Sequence, residues 1–428
     1  METSTIDTGN AIAATLPLQK RATTVKLTLV FLICFLSTFF GGIVSMLMSL
    51  YLPIAVKDIL GNVTEDKMNI VGAWINCVFI FGWMFGGIAW GVVCDRIGRA
   101  RTVALSTACF GLFASLTGAS SSWFLVSLCR FLSGFGIGGV LVTTTVIASE
   151  LWSEKRKAII IGLISLAMPV GFFAAGKINN VSEDWRNVFL IGLIPLFVGI
   201  IAWFVLPESD EWTRIKSLIK QKKRIDKQLF VPEYRKNLLI GSVVFGTMLI
   251  GLWAVFSWAP TWIQSISTSA DVQEQRGATM MILAGSGIAG SFISGWVVNT
   301  AGLRKTMLLC FAVCFFMTFI VFKTNTTVTN AMFIELAILA FFFGISQGAL
   351  AVYIPSLFPV GICASATGFC FNVGRLFTGT VVFFIGALVT LLGGYGNAVF
   401  YFSFIFIIGF IAAWVSRDKS NDLVSRPN

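Results

Sequence analysis

Residues 91–101 read GVVCDRIGRAR, a charged, glycine-punctuated turn between two apolar segments. Its marked positions are Gly91, Asp95, Arg96, Gly98, Arg99 and Arg101. The same frame returns in the second half of the chain as GWVVNTAGLRK, from Gly295 through Asn299 and Gly302 to Lys305. A hinge that recurs at half-length predicts two copies of one helical unit.

The surrounding composition says what those units are. The chain of 428 residues is 56% hydrophobic and only 12% charged, with mean hydropathy +0.86, where a soluble chain carries about a quarter charged residues. Its apolar runs are long enough to cross a bilayer, which takes about twenty helical residues. Twelve spans are predicted: 26–52, 68–93, 102–120, 123–150, 157–178, 186–206, 237–264, 277–299, 303–322, 331–355, 362–390 and 394–416. All must be helical, because lipid offers free backbone groups no partner. The fold class is therefore an all-α membrane protein of two six-helix bundles, 26–206 and 237–416. A basic cytosolic linker spans 207–236, and short cytosolic tails cover 1–25 and 417–428. The first span is expected to act as an uncleaved signal anchor.

The formal charge of +11 invites a nucleic-acid reading, but its distribution argues for topology instead. Lys and Arg cluster in loops on one side, leaving only Lys57, Lys67, Arg130, Lys177, Arg186, Arg276, Lys323 and Arg375 elsewhere. That asymmetry predicts both termini in the cytosol. There is no histidine, and the nine cysteines show no CxxC spacing, so metal sites, disulfide frameworks and a histidine proton relay have no support. Glycines recur at matched positions: Gly86 and Gly91 align with Gly290 and Gly295, and Gly138 with Gly344. Gly82, Gly86, Gly87 and Gly91, with Gly134, Gly136, Gly138 and Gly139, are spaced for close helix packing.

GVVCDRIGRAR resembles the signature of the major facilitator superfamily between its second and third helices, and RFLSGFGIGG its fourth-helix motif. PESDEW, 207–212, resembles the sequence after helix six in the sugar-porter, organic-cation and metabolite–proton symporter branches. DWRNVFLIGLIP (184–195) and SLFPVGICASATGFCFNVGR (356–375) are similar to those branches too. The resemblance implies alternating access around a midplane site, with a cytosolic gate of Asp95, Arg96, Arg99, Glu150, Lys157 and Glu208; otherwise these are solvated loop charges of little individual worth. The second half departs from the pattern, with Asn299, Ser356 and Cys363 at positions where relatives carry charge.

Charges deep in spans default to functional hypotheses. Arg130 lies roughly 12 Å into the fourth span and Arg375 roughly 20 Å into the eleventh, at 1.5 Å per residue. Arg130 is either a substrate contact or an interhelical tie to backbone carbonyls. Glu335, at the repeat position of Arg130, is either a proton-coupling site or an outer-interface residue. Arg375, Gln347, Asn372, Trp253 and Arg130 form the expected substrate set. A buried arginine with no acid near it favours an anion, since guanidinium matches carboxylate in a bidentate fork. The first span, FFGGIVSMLMSLYLP, carries no acid for protons, and the glutamine pairs of hexose porters are missing from the fifth and seventh spans.

The expected function is a monomeric secondary transporter in the inner membrane, moving a small organic metabolite, a carboxylate, with proton symport. Its partners are that small molecule, protons and the lipid bilayer; no cofactor or nucleic acid is implied. A sugar or polyol porter is the alternative within the class. A non-transporting nutrient sensor is the alternative outside it. Catalysis is not expected, because no nucleophile–base pair or phosphate loop is present.

Overall fold

The computed structural model describes residues 24–61, 63–152, 154–208, 232–268, 271–358 and 363–415. Among them are twelve helices long and apolar enough to cross a bilayer. The first six are α1 Thr24–Leu60, α2 Glu65–Ile97, α3 Arg99–Ala119, α4 Trp123–Leu151, α5 Glu154–Val181 and α6 Trp185–Val205. The second six are α7 Pro232–Ile266, α8 Val272–Ala301, α9 Leu303–Thr324, α10 Asn330–Ser356, α11 Cys363–Ala387 and α12 Tyr395–Val415. The last turn of α9, Ile320–Thr324, is a π-turn.

Several helices outrun the expected spans. α1 continues past Pro53 to Leu60, and Pro169 and Pro260 likewise lie inside α5 and α7. A proline removes one intrahelical bond, and close neighbours in a bundle let a membrane helix continue through it. α2 begins with Glu65, Asp66 and Lys67 and ends beyond Arg96, because charged first and last turns reach into the interface where hydropathy stops registering them.

The two halves repeat one packing scheme. Gly86 of α2 lies against the Phe135 carbonyl of α4, and Gly290 of α8 against the Phe341 carbonyl of α10. Gly42 and Gly171 bring α1 onto α5, as Gly246 and Gly374 bring α7 onto α11. These contacts leave no room for a Cβ, so backbones approach closely and gain dispersion contacts that lipid cannot supply. The turns match as well: Gly98 has φ 112 and ψ 163, Gly302 φ 83 and ψ 152. That backbone conformation is open essentially to glycine alone. The halves meet chiefly along α2 with α11 and α5 with α8, and α1 also touches α7.

Because helices alternate in direction, α1 starts and α12 ends on one face, here termed the basic face. It also carries the Gly98 and Gly302 turns. The α1–α2, α3–α4, α5–α6, α7–α8, α9–α10 and α11–α12 connections lie on the opposite face.

Candidate functional site

Arg375 sits twelve residues from each end of α11, at the middle of the bundle. It is partly buried, and among the described residues it makes no hydrogen bond or ion pair. Its guanidinium lies 5.7 Å from the centroid of the Trp83 ring on α2. Trp83 in turn meets Trp253 of α7 edge-to-face, with centroids 5.4 Å apart. One cation and two indoles, from three helices and both halves, thus converge at the midplane.

Asn372, one turn from Arg375 toward the basic face, spends its amide on the Gly368 carbonyl at 2.9 Å and leaves Oδ1 without a partner. Opposite it stands Gly87 of α2, where a Cβ would lie 3.5 Å from Asn372 Oδ1. Gln347 of α10 is partly buried, and its Nε2 also lacks a partner.

Arg130, the other deep cation, is committed elsewhere. It is 1% exposed, donates to the Val44 carbonyl at 2.9 Å and the Ser45 carbonyl at 3.4 Å, and lies 3.9 Å from the Phe79 ring centroid. The interhelical tie set out from sequence describes this geometry, and those hydrogen bonds run from α4 to α1 rather than toward Arg375. Phe79 and Trp83 are one helical turn apart and touch edge-to-face at 6.0 Å, so the two arginines stack on neighbouring rings of α2. Glu335 is five residues into α10 at the opposite face, where Oε2 accepts from Asn325 at 2.7 Å. Asn325 also donates to the Val321 carbonyl of the π-turn. Twelve residues separate Glu335 from Gln347, about 18 Å along the helix, so Glu335 and Arg375 are not brought together.

Above the midplane hydrogen bonds join the halves. Trp258 is fully buried, donates to the Val382 carbonyl at 3.1 Å and stacks on Tyr395, whose hydroxyl donates to Asn69 at 2.5 Å. Asn179 at the end of α5 donates to the Gln273 carbonyl of α8 at 2.8 Å. Gln273 returns two bonds from Nε2, to the carbonyls of Asn179 at 2.7 Å and Ser182 at 2.8 Å.

Toward the basic face the same helices part. Gly91 is one turn beyond Gly87 on α2, and Gly368 one turn beyond Asn372 on α11; a Cβ at either would have no described atom within 4 Å. The same holds for Gly295, five turns along α8 from the tightly packed Gly277, and for Gly162 on α5. Among the described residues the contacts between the halves thus run from the midplane to the opposite face, and a Cβ at these glycines toward the basic face would meet no described atom within 4 Å.

On that face the N-terminal half carries a charge cluster. Arg99 Nε donates to Glu150 of α4 at 3.0 Å, and its Nη1 to the Cys94 carbonyl at 3.0 Å. Glu208, just past α6, accepts from the backbone N–H of Arg99 at 2.5 Å and of Ala100 at 3.2 Å, capping the start of α3. The helix supplies partial positive charge at its N-terminus, which a carboxylate offsets. Gly98 is required twice, for its positive φ and because a Cβ would strike the Glu208 carboxylate. Arg96 is exposed; the side chains of Asp95 and Lys157 lie outside the described residues. The second half is plainer. Asn299 is exposed, and Arg304 donates to the Trp414 carbonyl and covers its ring at 5.6 Å. In the first half Arg101 covers Trp203 in the same manner, at 5.8 Å.

Residues 31–379 match the family model described as Major Facilitator Superfamily. The chain belongs to that superfamily. Among its curated relatives, a cis,cis-muconate transport protein of Acinetobacter baylyi is 26% identical over 92% of this chain and 95% of its own length. The sialic acid transporter NanX of Escherichia coli is 26% identical over 82% and 83%. Among solved structures, a D-xylose-proton symporter superposes with a TM-score of 0.76 at 14% identity, covering 91% of this chain and 97% of that one. The inward-open xylose transporter XylE of E. coli gives 0.74 at 14%, covering 90% and 95%. The chain is thus a multi-pass membrane transporter of a small molecule and not an enzyme.

Within this superfamily fold, sequence reasoning missed Trp83, Phe79 and the Asn179–Gln273 clamp. The tryptophan and phenylalanine sit in an apolar run where every aromatic looks like packing. An i, i+4 aromatic pair on the same helix as the charged turn was the available signal.

Proposed function

We propose that this chain moves a small organic anion across the cytoplasmic membrane by alternating access, with Arg375 as the anion ligand. The observation that carries this is the guanidinium at the middle of α11, unpaired among the described residues and lying against the Trp83 ring where the two halves meet. A carboxylate would dock on Arg375 beside the Trp83 ring, with Asn372 Oδ1 and Gln347 Nε2 unpartnered and available for further polar groups. Relatives whose names carry muconate, sialic acid and 4-hydroxybenzoate agree with an acidic substrate. The clustering of Lys and Arg supports a cytosolic basic face with both termini on it, and with that an inward-open reading of the described state. One chain supplies both walls of the cavity, so the working unit is a monomer.

Proton symport in this frame uses the substrate's own proton. Glu335 is held by Asn325 at the opposite face, and Arg375 has no acid beside it among the described residues. A dicarboxylic acid would cross as its monoanion, bringing one proton with one charge. The Arg99–Glu150–Glu208 cluster serves as the cytosolic gate of the N-terminal half, with Asp95, Arg96 and Lys157 around it.

The test is uptake into proteoliposomes of labelled muconate, 4-hydroxybenzoate, nicotinate, sialic acid and xylose, with and without a proton gradient. Uptake of one or more acids but not xylose is expected. Uptake of xylose alone would overturn the anion reading and favour a sugar porter.

A further inference from the structure

Every acidic residue within the described helices lies no more than five residues from a helix end, Glu335 being the deepest. Among the described residues the middle of the bundle holds two cations and no anion. Arg130 donates to backbone carbonyls on α1 and lies over the Phe79 ring. Among the described residues Arg375 has only the face of Trp83, 5.7 Å away. None of α2, α7, α10 or α12, which pack around α11, brings an acid to its level.

In the described state Arg375 is only partly buried. To switch sides the carrier must pass through a state closed at both ends, in which its remaining exposure is lost. An unpaired charge withdrawn from water is costly, and a bound carboxylate removes the cost by pairing with it. The loaded carrier crosses with a neutral centre, the empty one with a net positive centre.

We propose that this protein is kinetically an anion exchanger: it swaps one anion for another across the membrane much faster than it catalyses net uptake. The inference rests on the anion reading of Arg375. Return of the empty carrier is the slow step, and an anion on the far side replaces it with a loaded return. That empty return also carries positive charge outward, so an inside-negative potential slows it, while one-for-one exchange moves no net charge.

The experiment uses wild-type protein in proteoliposomes and the same panel of labelled acids. Vesicles are filled either with buffer or with the unlabelled acid, and the potential is clamped by a potassium gradient with valinomycin. Initial uptake into anion-filled vesicles is expected to exceed that into buffer-filled vesicles by about tenfold or more, the scale on which burial of one unpaired charge shifts a rate. Exchange should ignore the potential, and net uptake should slow when the interior is negative. Equal rates in filled and empty vesicles would overturn the exchange proposal while leaving the anion reading intact. No uptake of any acid under either condition would overturn the anion reading and the proposal with it.

Discussion

Replacing Gln273 by alanine should tip the carrier toward the state open at the opposite face. Gln273 Nε2 donates two of the hydrogen bonds that join the halves there, to the carbonyls of Asn179 at 2.7 Å and Ser182 at 2.8 Å. The third, from Asn179 to the Gln273 backbone carbonyl, survives the substitution. When the halves part, all these groups regain water, so each lost bond is worth its net value of about 0.5–1.5 kcal/mol rather than its full strength. Two bonds amount to about 1–3 kcal/mol. That is a shift of about 5- to 140-fold in the ratio of the two states, at 1.4 kcal/mol per tenfold. Spin labels report it directly. Val181 at the end of α5 and Leu391 beyond α11 are 79% and 81% exposed, so cysteines there accept labels without disturbing packing. Distance distributions between them in nanodiscs should gain a longer component in Gln273→Ala. An unchanged distribution would mean that the clamp does not hold the opposite face shut, and the assignment of the seal would fail.

Three further outcomes are expected. Glu208→Ala leaves the Arg99 and Ala100 N–H groups without their acceptor at the start of α3, and should lower stability by about 1–2 kcal/mol, seen as a lower thermal midpoint in detergent; an unaltered midpoint would deny Glu208 its capping role. Arg130→Met removes the tie from α4 to the Val44 and Ser45 carbonyls and should cost about 2–4 kcal/mol in stability while leaving substrate preference among panel acids unchanged; a changed preference would return Arg130 to the substrate site. Glu335→Gln should leave the pH profile of uptake where it is, because that profile follows the monoanionic fraction of the substrate; a displaced profile would make Glu335 the coupling group.

The architecture was legible because bilayer burial imposes it. Apolar runs, the twice-used glycine turn and the one-sided basic loops all follow from local rules, and the matched contacts of Gly86 and Gly290 bear out the repeat. Helix ends were less legible: hydropathy cannot see that Glu65 and Asp66 begin a helix or that α1 passes through Pro53. At the site, Arg375 and Asn372 stood out because polar groups in spans are rare. Trp83 did not, since its position across from Arg375 arises only when α2 and α11 pack. Glu335 drew attention through its repeat position, yet five residues of α10 leave it at the interface beside Asn325. Asn179 and Gln273 read as ordinary loop-edge polar residues, and only the docking of α5 on α8 joins them.

The account turns on Arg375 as a midplane cation, unpaired among the described residues, that takes a carboxylate. Isothermal titration of the purified protein with the panel acids, for wild type and for Arg375→Gln, measures that most directly. A charge-assisted pair contributes about 1.5–3 kcal/mol, so affinity for the bound acid should fall by about 10- to 140-fold in the variant. Binding of the same acid with unchanged affinity in Arg375→Gln would contradict it.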